Sequence, residues 1–365
     1  MTRLAEVEAK AERARRFLRD RGRQGLLLTT HANFAWLTAG GHGFVGLATE
    51  RASGYLLVTP KARYCLTSNI EAPRLAAEEL AGLGFEMVES PWHDGTTVAA
   101  IERLAGTDLA GDAPVAGAQE LAADIARLRW ELLPAEVERY RAVAQATAEA
   151  VEGAAREIAP GMTEHEIAAA MAQRALAQGL QLNVCLVAVD ERTERFRHPL
   201  PTDRRLEQVA MLVLGARRHG LCVSVTRMVH FGPVPADLLA RHAAVCRVDA
   251  TFLHHTRPGR AVAEVLTAAI EAYREVGFPD EWQRHHQGGA TGYAARDYRA
   301  TPGCAEVVGS RQAFAWNPSI AGTKSEDTIV AGEGGAEVLG RTGAWPQLAV
   351  EIEGEPIERP DILVR

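Results

Sequence analysis

The residues with the clearest capacity for chemistry lie in one stretch, from Arg311 to Val330. Its sequence, RQAFAWNPSIAGTKSEDTIV, combines aromatic and β-branched residues with a proline and a glycine, which predicts two β-strands joined by a short turn. The polar side chains at its strand positions are Asn317, Lys324, Glu326 and Asp327. Two interpretations stay open. Either the hairpin is solvated, since strand alternation normally turns polar side chains to water, or its polar side chains are buried and line a site.

Apolar strands and long helices surround this stretch in the sequence. The runs LNVCLVAV, VAMLVLG and LCVSVTRMV, at 182–189, 209–215 and 221–229, predict strands of a sheet core. Helices are predicted over 135–158, 164–178, 236–256 and 261–276, and the second opens with a capping-box pattern at 163–166. Alternating short strands and helices near the amino terminus predict a smaller α/β domain. We therefore divide the chain into 1–127 and 128–365.

Together these motifs resemble the creatinase, prolidase and methionine aminopeptidase superfamily, the pita-bread enzymes. That superfamily carries Glu-Pro and then Gly-x-x-x-Glu-Asp-Thr, where this chain has NP at 317–318 and GTKSEDT at 322–328. Its Asp-x-Gly and Asp-x-Thr-Arg motifs correspond here to VLG at 213–215 and SVTR at 224–227. The resemblance implies a mixed α/β (α+β) fold, with a creatinase-like N-terminal domain followed by a C-terminal pita-bread domain. It also implies a homodimer.

The resemblance implies, in addition, that most of the superfamily's dimetal site is missing. Its five ligand positions fall on Val213, Ser224, Gly289, Asn317 and Glu326. Only the glutamate can serve as an anionic ligand, and a dimetal site needs several oxygen or nitrogen donors around each ion. We therefore predict no metal and no other cofactor.

A replacement metal site is the alternative to that prediction. Its ligands would be His198, His285, His286 and Glu326. The sequence disfavours it, because adjacent histidines on a strand point to opposite faces.

Composition and charge narrow the class of partner. The chain has 365 residues, 47% of them hydrophobic and 24% charged, as in ordinary folded proteins, and its net charge is −7. The negative charge argues against nucleic acid or an anionic membrane surface and favours a small-molecule or short-peptide substrate. Five widely spaced cysteines without a CxxC pair predict neither a disulfide scaffold nor a zinc knuckle. With a charged first helix and no run of transmembrane length, we expect a cytoplasmic protein.

One functional hypothesis is a metal-independent hydrolase, related to creatinase and the Xaa-Pro peptidases, that cleaves an amide, peptide or amidine C–N bond. His198, in the loop ERFRHPLPTDR, falls where the superfamily places a proton-shuttling histidine, so we predict that it acts as acid and base. Glu326 is predicted to orient the attacking water or to hold a cationic amine. The predicted substrate-binding residues are Arg197, Ser224, Arg227, His285, His286, Trp316, Asn317 and Lys324, with Trp316 covering the pocket.

The second hypothesis is a non-catalytic pseudo-peptidase that binds a peptide or a small molecule. The superfamily contains such members, including the amino-terminal domain of a histone chaperone. A lyase or isomerase that uses His198 is a third hypothesis. The retained His198 and Glu326 favour an enzyme, because a pocket without function has no reason to keep charged groups buried against their desolvation cost.

Overall fold

The fold was obtained as a computed structural model, which describes residues 1–95 and 97–365. The chain divides into two compact units. The first comprises Met1–Glu136 with His219–Leu221, and the second comprises Val137–Arg218 with Cys222–Arg365. Both units combine sheets with helices, which confirms the predicted mixed α/β class.

The first unit is built on one six-stranded sheet in the order β4-β3-β2-β1-β5-β6. Its central strand β1 pairs antiparallel with β2 and parallel with β5. The strands are β1 (Gly25–Thr30), β2 (Arg51–Val58), β3 (Arg63–Ser68), β4 (Glu86–Ser90), β5 (Leu109–Gly111) and β6 (Gln119–Glu120). The helices are α1 (Arg3–Arg21), α2 (His31–Leu37), α3 (Ala72–Arg74), which continues as a π-helical turn (Leu75–Glu79), α4 (Thr97–Ala105) and α5 (Ala122–Arg127).

The second unit contains several smaller sheets and the long helices. The helices are α6 (Pro134–Glu157), α7 (Glu164–Ala177), α8 (Glu191–Arg195), α9 (Ala236–His255) and α10 (Val262–Glu275), followed by a 3₁₀ turn (Glu281–Arg284). The strands are β7 (Gln181–Val189), β8 (Val209–Arg218), β9 (Leu221–His230), β10 (Gly288–Thr291), β11 (Tyr298–Arg299), β12 (Ala313–Trp316), β13 (Ser319–Ile320), β14 (Thr323–Lys324), β15 (Asp327–Val330), β16 (Glu337–Val338), β17 (Gln347–Ile352), β18 (Glu355–Pro360) and β19 (Leu363–Val364). The sheet orders are β11-β10-β12-β15-β16, β19-β9-β8-β7, β13-β14 and β17-β18.

The four helices predicted for this unit end within one residue of the predicted bounds. Their termini follow from local chemistry, as α7 shows. The Thr163 hydroxyl accepts a hydrogen bond from the Glu166 amide at 3.1 Å, and the Glu166 carboxylate accepts one from the Thr163 amide at 2.7 Å. This capping box satisfies amide groups that have no partner inside the helix, so α7 starts where the sequence predicts.

A long hairpin from 313 to 330, here called the site hairpin, organises the second unit. One register runs through it, since Trp316 pairs with Asp327 and Ser319 pairs with Lys324. Successive side chains of a strand point to opposite faces, so the hairpin has two different sides. The side called the polar face carries Asn317, Ser319, Lys324 and Glu326, and the opposite side carries Phe314, Trp316 and Ile320.

The apolar side of the site hairpin packs into the main core of the unit. Trp316 is fully buried and stacks on Phe252 of α9, with ring centroids 4.4 Å apart and planes at 13°. Its indole Nε1 donates a hydrogen bond to Thr256 Oγ1 at 2.9 Å. Burial of this large ring fixes the side of the hairpin that faces α9, and thereby fixes the direction of the polar face.

A buried ion network ties five elements of the second unit together. Arg359 of β18 binds Asp249 of α9 at 2.7 Å and Asp327 of β15 at 2.8 Å. Asp327 also accepts a hydrogen bond from Arg227 of β9 at 2.9 Å, and Arg227 binds Glu152 of α6 at 3.1 Å. All five side chains are nearly inaccessible to solvent. Each charge therefore has an opposite partner, as buried charges require.

Candidate functional site

The centre of the candidate site is an ion pair on the polar face. Lys324 Nζ lies 2.6 Å from Glu326 Oε2, and the same oxygen accepts a hydrogen bond from Thr226 Oγ1 at 2.7 Å. Both charged side chains are buried. Lys324 has three N–H donors, and only one is used among the described residues. The ammonium therefore has two donors left for a ligand.

Asn317 lies beside this pair on the neighbouring strand. The pairs on either side, Trp316 with Asp327 and Ser319 with Lys324, place it across the hairpin from Glu326. The Asn317 side chain is buried, and within the described residues its Oδ1 accepts no hydrogen bond. A buried acceptor without a donor is costly, so this oxygen is suited to an N–H or O–H group of a ligand.

Three histidines lie close together in the same unit. Ring centroids are 4.9 Å apart for His198 and His285, 5.6 Å for His198 and His286, and 4.8 Å for His285 and His286. The prediction that His285 and His286 point to opposite faces was wrong. Strand alternation does not govern them, because they follow a 3₁₀ turn and precede β10, which begins only at Gly288.

The surroundings of the histidines favour neutral imidazoles. Burial is the main cause, and it lowers the pKa of His285 to about 2 and that of His286 to about 4. Partial desolvation and then the Lys324 ammonium lower the pKa of His198. His198 Nε2 lies 3.2 Å from His285 Nε2, and the His198 side chain is exposed. His198 is thus a neutral base that solvent and a ligand can reach.

Arg197 connects the histidines to a small pocket. Its guanidinium forms an ion pair with Glu281 and donates a hydrogen bond to Ser319 Oγ at 3.3 Å. His285 Nδ1 lies 3.1 Å from the same Ser319 oxygen. Arg197 contributes to the wall of a small cavity of about 10 Å³, which is lined by Thr193, Phe196, Arg197, Met211, Ser319, Thr323 and Lys324.

The other predicted substrate-binding residues lie elsewhere. Trp316 does not cover the pocket, because it is on the opposite side of the hairpin in the core. Arg227 is held by Glu152 and Asp327, so its charge serves the buried ion network. Ser224 of β9 is half-buried, and its backbone amide donates to Thr328 Oγ1 at 2.9 Å. The structure brings together the polar face, the histidines and Arg197, but not Trp316 and Arg227.

Arg296 belongs to this region and was not predicted from the sequence. Its guanidinium donates hydrogen bonds to the carbonyl oxygens of Gly289 at 2.7 Å and Ala315 at 2.9 Å. Burial lowers the pKa of Arg296, and the opposite charge of Glu326 acts against that shift. The only signal in the sequence was an arginine in the loop between β10 and β11, which by itself indicates a solvated residue.

A comparison with known proteins assigns the chain to a family. The model of metallopeptidase family M24 matches residues 138–338, more than half of the chain. The chain belongs to metallopeptidase family M24. Two curated relatives, described as uncharacterized peptidases of Staphylococcus epidermidis strains, are 25% identical over 150 residues. The match spans 39% of this chain and 42% of the length of those relatives.

Solved structures of two dipeptidases and of one FACT subunit domain share the fold. A dipeptidase, PepE from Mycobacterium ulcerans, superposes with a TM-score of 0.78 at 19% identity, covering 100% of this chain and 99% of its own. An Xaa-Pro dipeptidase from Bacillus anthracis gives 0.74 at 16% identity, with 98% and 100% covered. The N-terminal domain of the FACT complex subunit SPT16 from Cicer arietinum gives 0.70 at 14% identity, with 92% and 96% covered. This likeness confirms the creatinase and prolidase type of fold.

The residues at the M24 metal positions do not fit a dimetal centre. Val213 packs in an apolar cluster, and the carboxylate of Glu326 is already bound by Lys324. At Gly289 a Cβ atom would lie 2.2 Å from the carbonyl oxygen of Tyr298. The backbone of β11 thus fills the space that a histidine side chain would need. One carboxylate with an ammonium partner is not a donor set for two divalent cations.

The helices of the described chain give no sign of a membrane anchor. Among residues 1–95 and 97–365, no helix combines the length and the apolar character needed to cross a bilayer.

Proposed function

We propose that the protein is a peptidase-type hydrolase that cleaves a C–N bond of a small substrate without the dimetal centre of its family. The observation that carries this proposal is the buried Lys324–Glu326 ion pair at the one family ligand position that is retained. A fixed ammonium beside the histidines offers the positive charge that a metal ion offers in other family members. The dipeptidases with the same fold favour a short peptide or another amide as substrate.

In the proposed reaction, His198 accepts a proton from water, and the water oxygen attacks the carbonyl carbon of the substrate. The two unused donors of Lys324 stabilise the negative charge that develops on the carbonyl oxygen. His198 then returns its proton to the leaving nitrogen as the C–N bond breaks, which yields a carboxylic acid and an amine. Glu326 Oε1 accepts no hydrogen bond from the described residues, so it is available to orient the water.

Asn317 and Arg197 supply the remaining contacts in this proposal. The unpaired Asn317 Oδ1 accepts an N–H of the substrate, and Arg197 at the wall of the cavity attracts a negatively charged substrate group. The role of the ion pair favours catalysis over binding alone, because burying two charges has a desolvation cost that simple peptide recognition does not require.

The test is a screen of dipeptides, amides and amidines for release of an amine or ammonia, with a chelator present throughout. We expect turnover that survives the chelator and falls by at least about 100-fold in His198→Ala, as for loss of a general base. The matched control is His165→Ala. His165 is exposed in the first turn of α7, so this variant should keep full turnover. The melting temperatures of both variants should stay within a few degrees of the parent.

Three outcomes would contradict the proposal. Turnover abolished by the chelator would show that a metal is required despite the missing ligands. Absence of turnover with every substrate, together with tight binding of a peptide, would favour the pseudo-peptidase hypothesis, and release of a product without water uptake would favour a lyase or isomerase.

A homodimer and a cytoplasmic location also stay predictions that derive from the sequence. Light scattering on the purified full chain would measure the number of subunits, and fractionation of the source cells would measure the location.

A further inference from the structure

The three histidines described above are a candidate metal site separate from the M24 ligand positions. His198 comes from the loop after α8, and His285 and His286 follow the 3₁₀ turn before β10. One ring nitrogen of each lies within 4.8 Å of the other two. None of these histidines stands at a family ligand position, so their convergence does not follow from the dimetal architecture.

The spacing of two of the nitrogens already suits a tetrahedral ion. His198 Nε2 and His285 Nε2 are 3.2 Å apart. Two imidazole nitrogens that bind one tetrahedral zinc ion at about 2.0–2.1 Å lie about 3.3 Å from each other. The separation of these two nitrogens therefore already fits one ion, and the ligand atom of the third ring lies within 4.8 Å of both.

The third ring carries an unsatisfied atom. His286 Nδ1 is buried and has no hydrogen-bond partner among the described residues. Buried ring nitrogens are normally paired, so this atom is available to a ligand.

The neighbours of His285 hold it in the form that binds metal. Its Nδ1 lies 3.1 Å from Ser319 Oγ, which also accepts a hydrogen bond from Arg197 at 3.3 Å. With Arg197 donating, Ser319 has a second lone pair for the Nδ1–H of His285, which leaves the Nε2 lone pair facing His198. Histidine ligands of metals are commonly oriented by such a second hydrogen bond.

The nearby charges define the kind of ion. Lys324 is paired with Glu326, and Arg197 with Glu281, so a carboxylate lies beside each of these two cations. Three neutral nitrogen donors suit zinc, cobalt or nickel, whereas magnesium and calcium prefer oxygen. Since three imidazoles add no negative charge, an anionic fourth ligand is favoured.

We infer that His198, His285 and His286 bind one transition-metal ion of the zinc type. Only the consequence for turnover rests on the proposed function. A metal ion on His198 takes the lone pair that accepts the proton from water, so the ion acts as an inhibitor of hydrolysis.

The experiment titrates Co²⁺ into the metal-free full chain and records the visible absorption of tetrahedral cobalt. We expect one ion per chain, displaced by Zn²⁺, and an affinity at least tenfold lower in His286→Ala. Ser319→Ala, which removes only the second hydrogen bond, should lower the affinity about 10–100-fold. His165→Ala is the matched control, because His165 is exposed on α7 outside the histidine cluster and its loss should leave the spectrum unchanged.

Turnover measured in the same titration separates the two proposals. Loss of turnover in step with cobalt binding, reversed by a chelator, supports the inference. Turnover without a tetrahedral cobalt spectrum, or an unchanged spectrum in a folded His286→Ala, overturns the metal site while the hydrolase proposal stands. A cobalt spectrum that depends on His286 with no turnover on any substrate supports the metal site and overturns the hydrolase.

Discussion

Lys324 is the residue on which the proposed chemistry depends most. Its buried ammonium contacts Glu326 and keeps two donors free. In Lys324→Met these donors are lost, and we expect kcat to fall about 10²–10³-fold, as for removal of an oxyanion donor. Steady-state kinetics on the substrate found in the screen would measure the change.

A stability measurement separates this catalytic role from a structural one. Lys324→Met leaves the Glu326 charge buried without a partner, so the free energy of unfolding should fall by about 3–5 kcal/mol. The double variant Lys324→Met/Glu326→Gln removes both charges and should recover most of that loss but not the activity. Recovery of turnover in the double variant would show that Lys324 acts only through Glu326.

At this scale the sequence predicted the pocket residues only in part. Asn317, Lys324 and Glu326 share a face because they occupy alternating positions of one hairpin, and that pattern is visible in the sequence. The same alternation excludes Trp316 from that face, because Trp316 is adjacent to Asn317 in the strand. The expectation that Trp316 covers the pocket did not take this alternation into account. His285 and His286 were misjudged because the boundary of β10 is set by hydrogen bonds to distant strands.

At the scale of elements, the contact between the site hairpin and α9 fixes the polar face. Trp316→Ala should lower the free energy of unfolding by about 3–5 kcal/mol, because it leaves a cavity between Phe252 and Phe314. Chemical denaturation measures this loss.

The milder variant Trp316→Phe tests the position of the ring. It keeps most of the packing and removes the hydrogen bond to Thr256, at a cost of about 1–3 kcal/mol. Its KM should equal that of the parent, because the ring lies on the core side. A large rise in KM with little change in stability would contradict that placement.

A second contact of α9 makes stability depend on pH. His242 is buried, its Nδ1 lies 2.7 Å from Thr323 Oγ1, and its Nε2 donates to the Pro360 carbonyl at 3.0 Å. Burial lowers the pKa of His242, although Asp361, 3.7 Å away, acts in the opposite direction. Cys246 Sγ also lies 3.5 Å from the ring, and burial raises the pKa of its thiol, so it stays neutral.

The sign of the pH effect follows from this lowered pKa. Below a pH of about 6.5 the unfolded chain binds a proton at His242 that the folded chain does not. The contribution of His242 to the free energy of unfolding is therefore fully present above that pH and is lost on acidification. The slope reaches at most about 1.4 kcal/mol per pH unit. We expect the loss of unfolding free energy between about pH 7.5 and about pH 5.5 to be smaller in His242→Gln than in the parent. Equal losses in both proteins would contradict the assignment.

The elements themselves were the most predictable part of the fold. Caps and apolar periodicity located α6, α7, α9 and α10 to within a residue. Arg296 shows where such prediction ends, because its contacts with the carbonyls of Gly289 and Ala315 exist only once β10 and β12 are paired.

At the scale of the molecule, the second unit depends on the buried ion network. Arg359→Met leaves Asp249 without its ion-pair partner and leaves Asp327 with Arg227 alone, and we expect a loss of about 3–5 kcal/mol in unfolding free energy. Arg341→Met is the matched control, because Arg341 forms an exposed ion pair with Glu358 and its loss should cost about 0–1 kcal/mol. Thermal and urea unfolding of the full chain would compare them, and equal losses would contradict the role of the network.

The backbone of β11 limits which metal ligands this site can accommodate. Its backbone lies against Gly289, where an added Cβ would approach the Tyr298 oxygen to 2.2 Å. Point substitutions can return carboxylates to positions 213, 224 and 317, but a histidine at position 289 would first require β11 to move. Restoring the family's full ligand set in this chain therefore needs a shift of the β11 main chain, and side-chain replacements at the ligand positions alone cannot accomplish it.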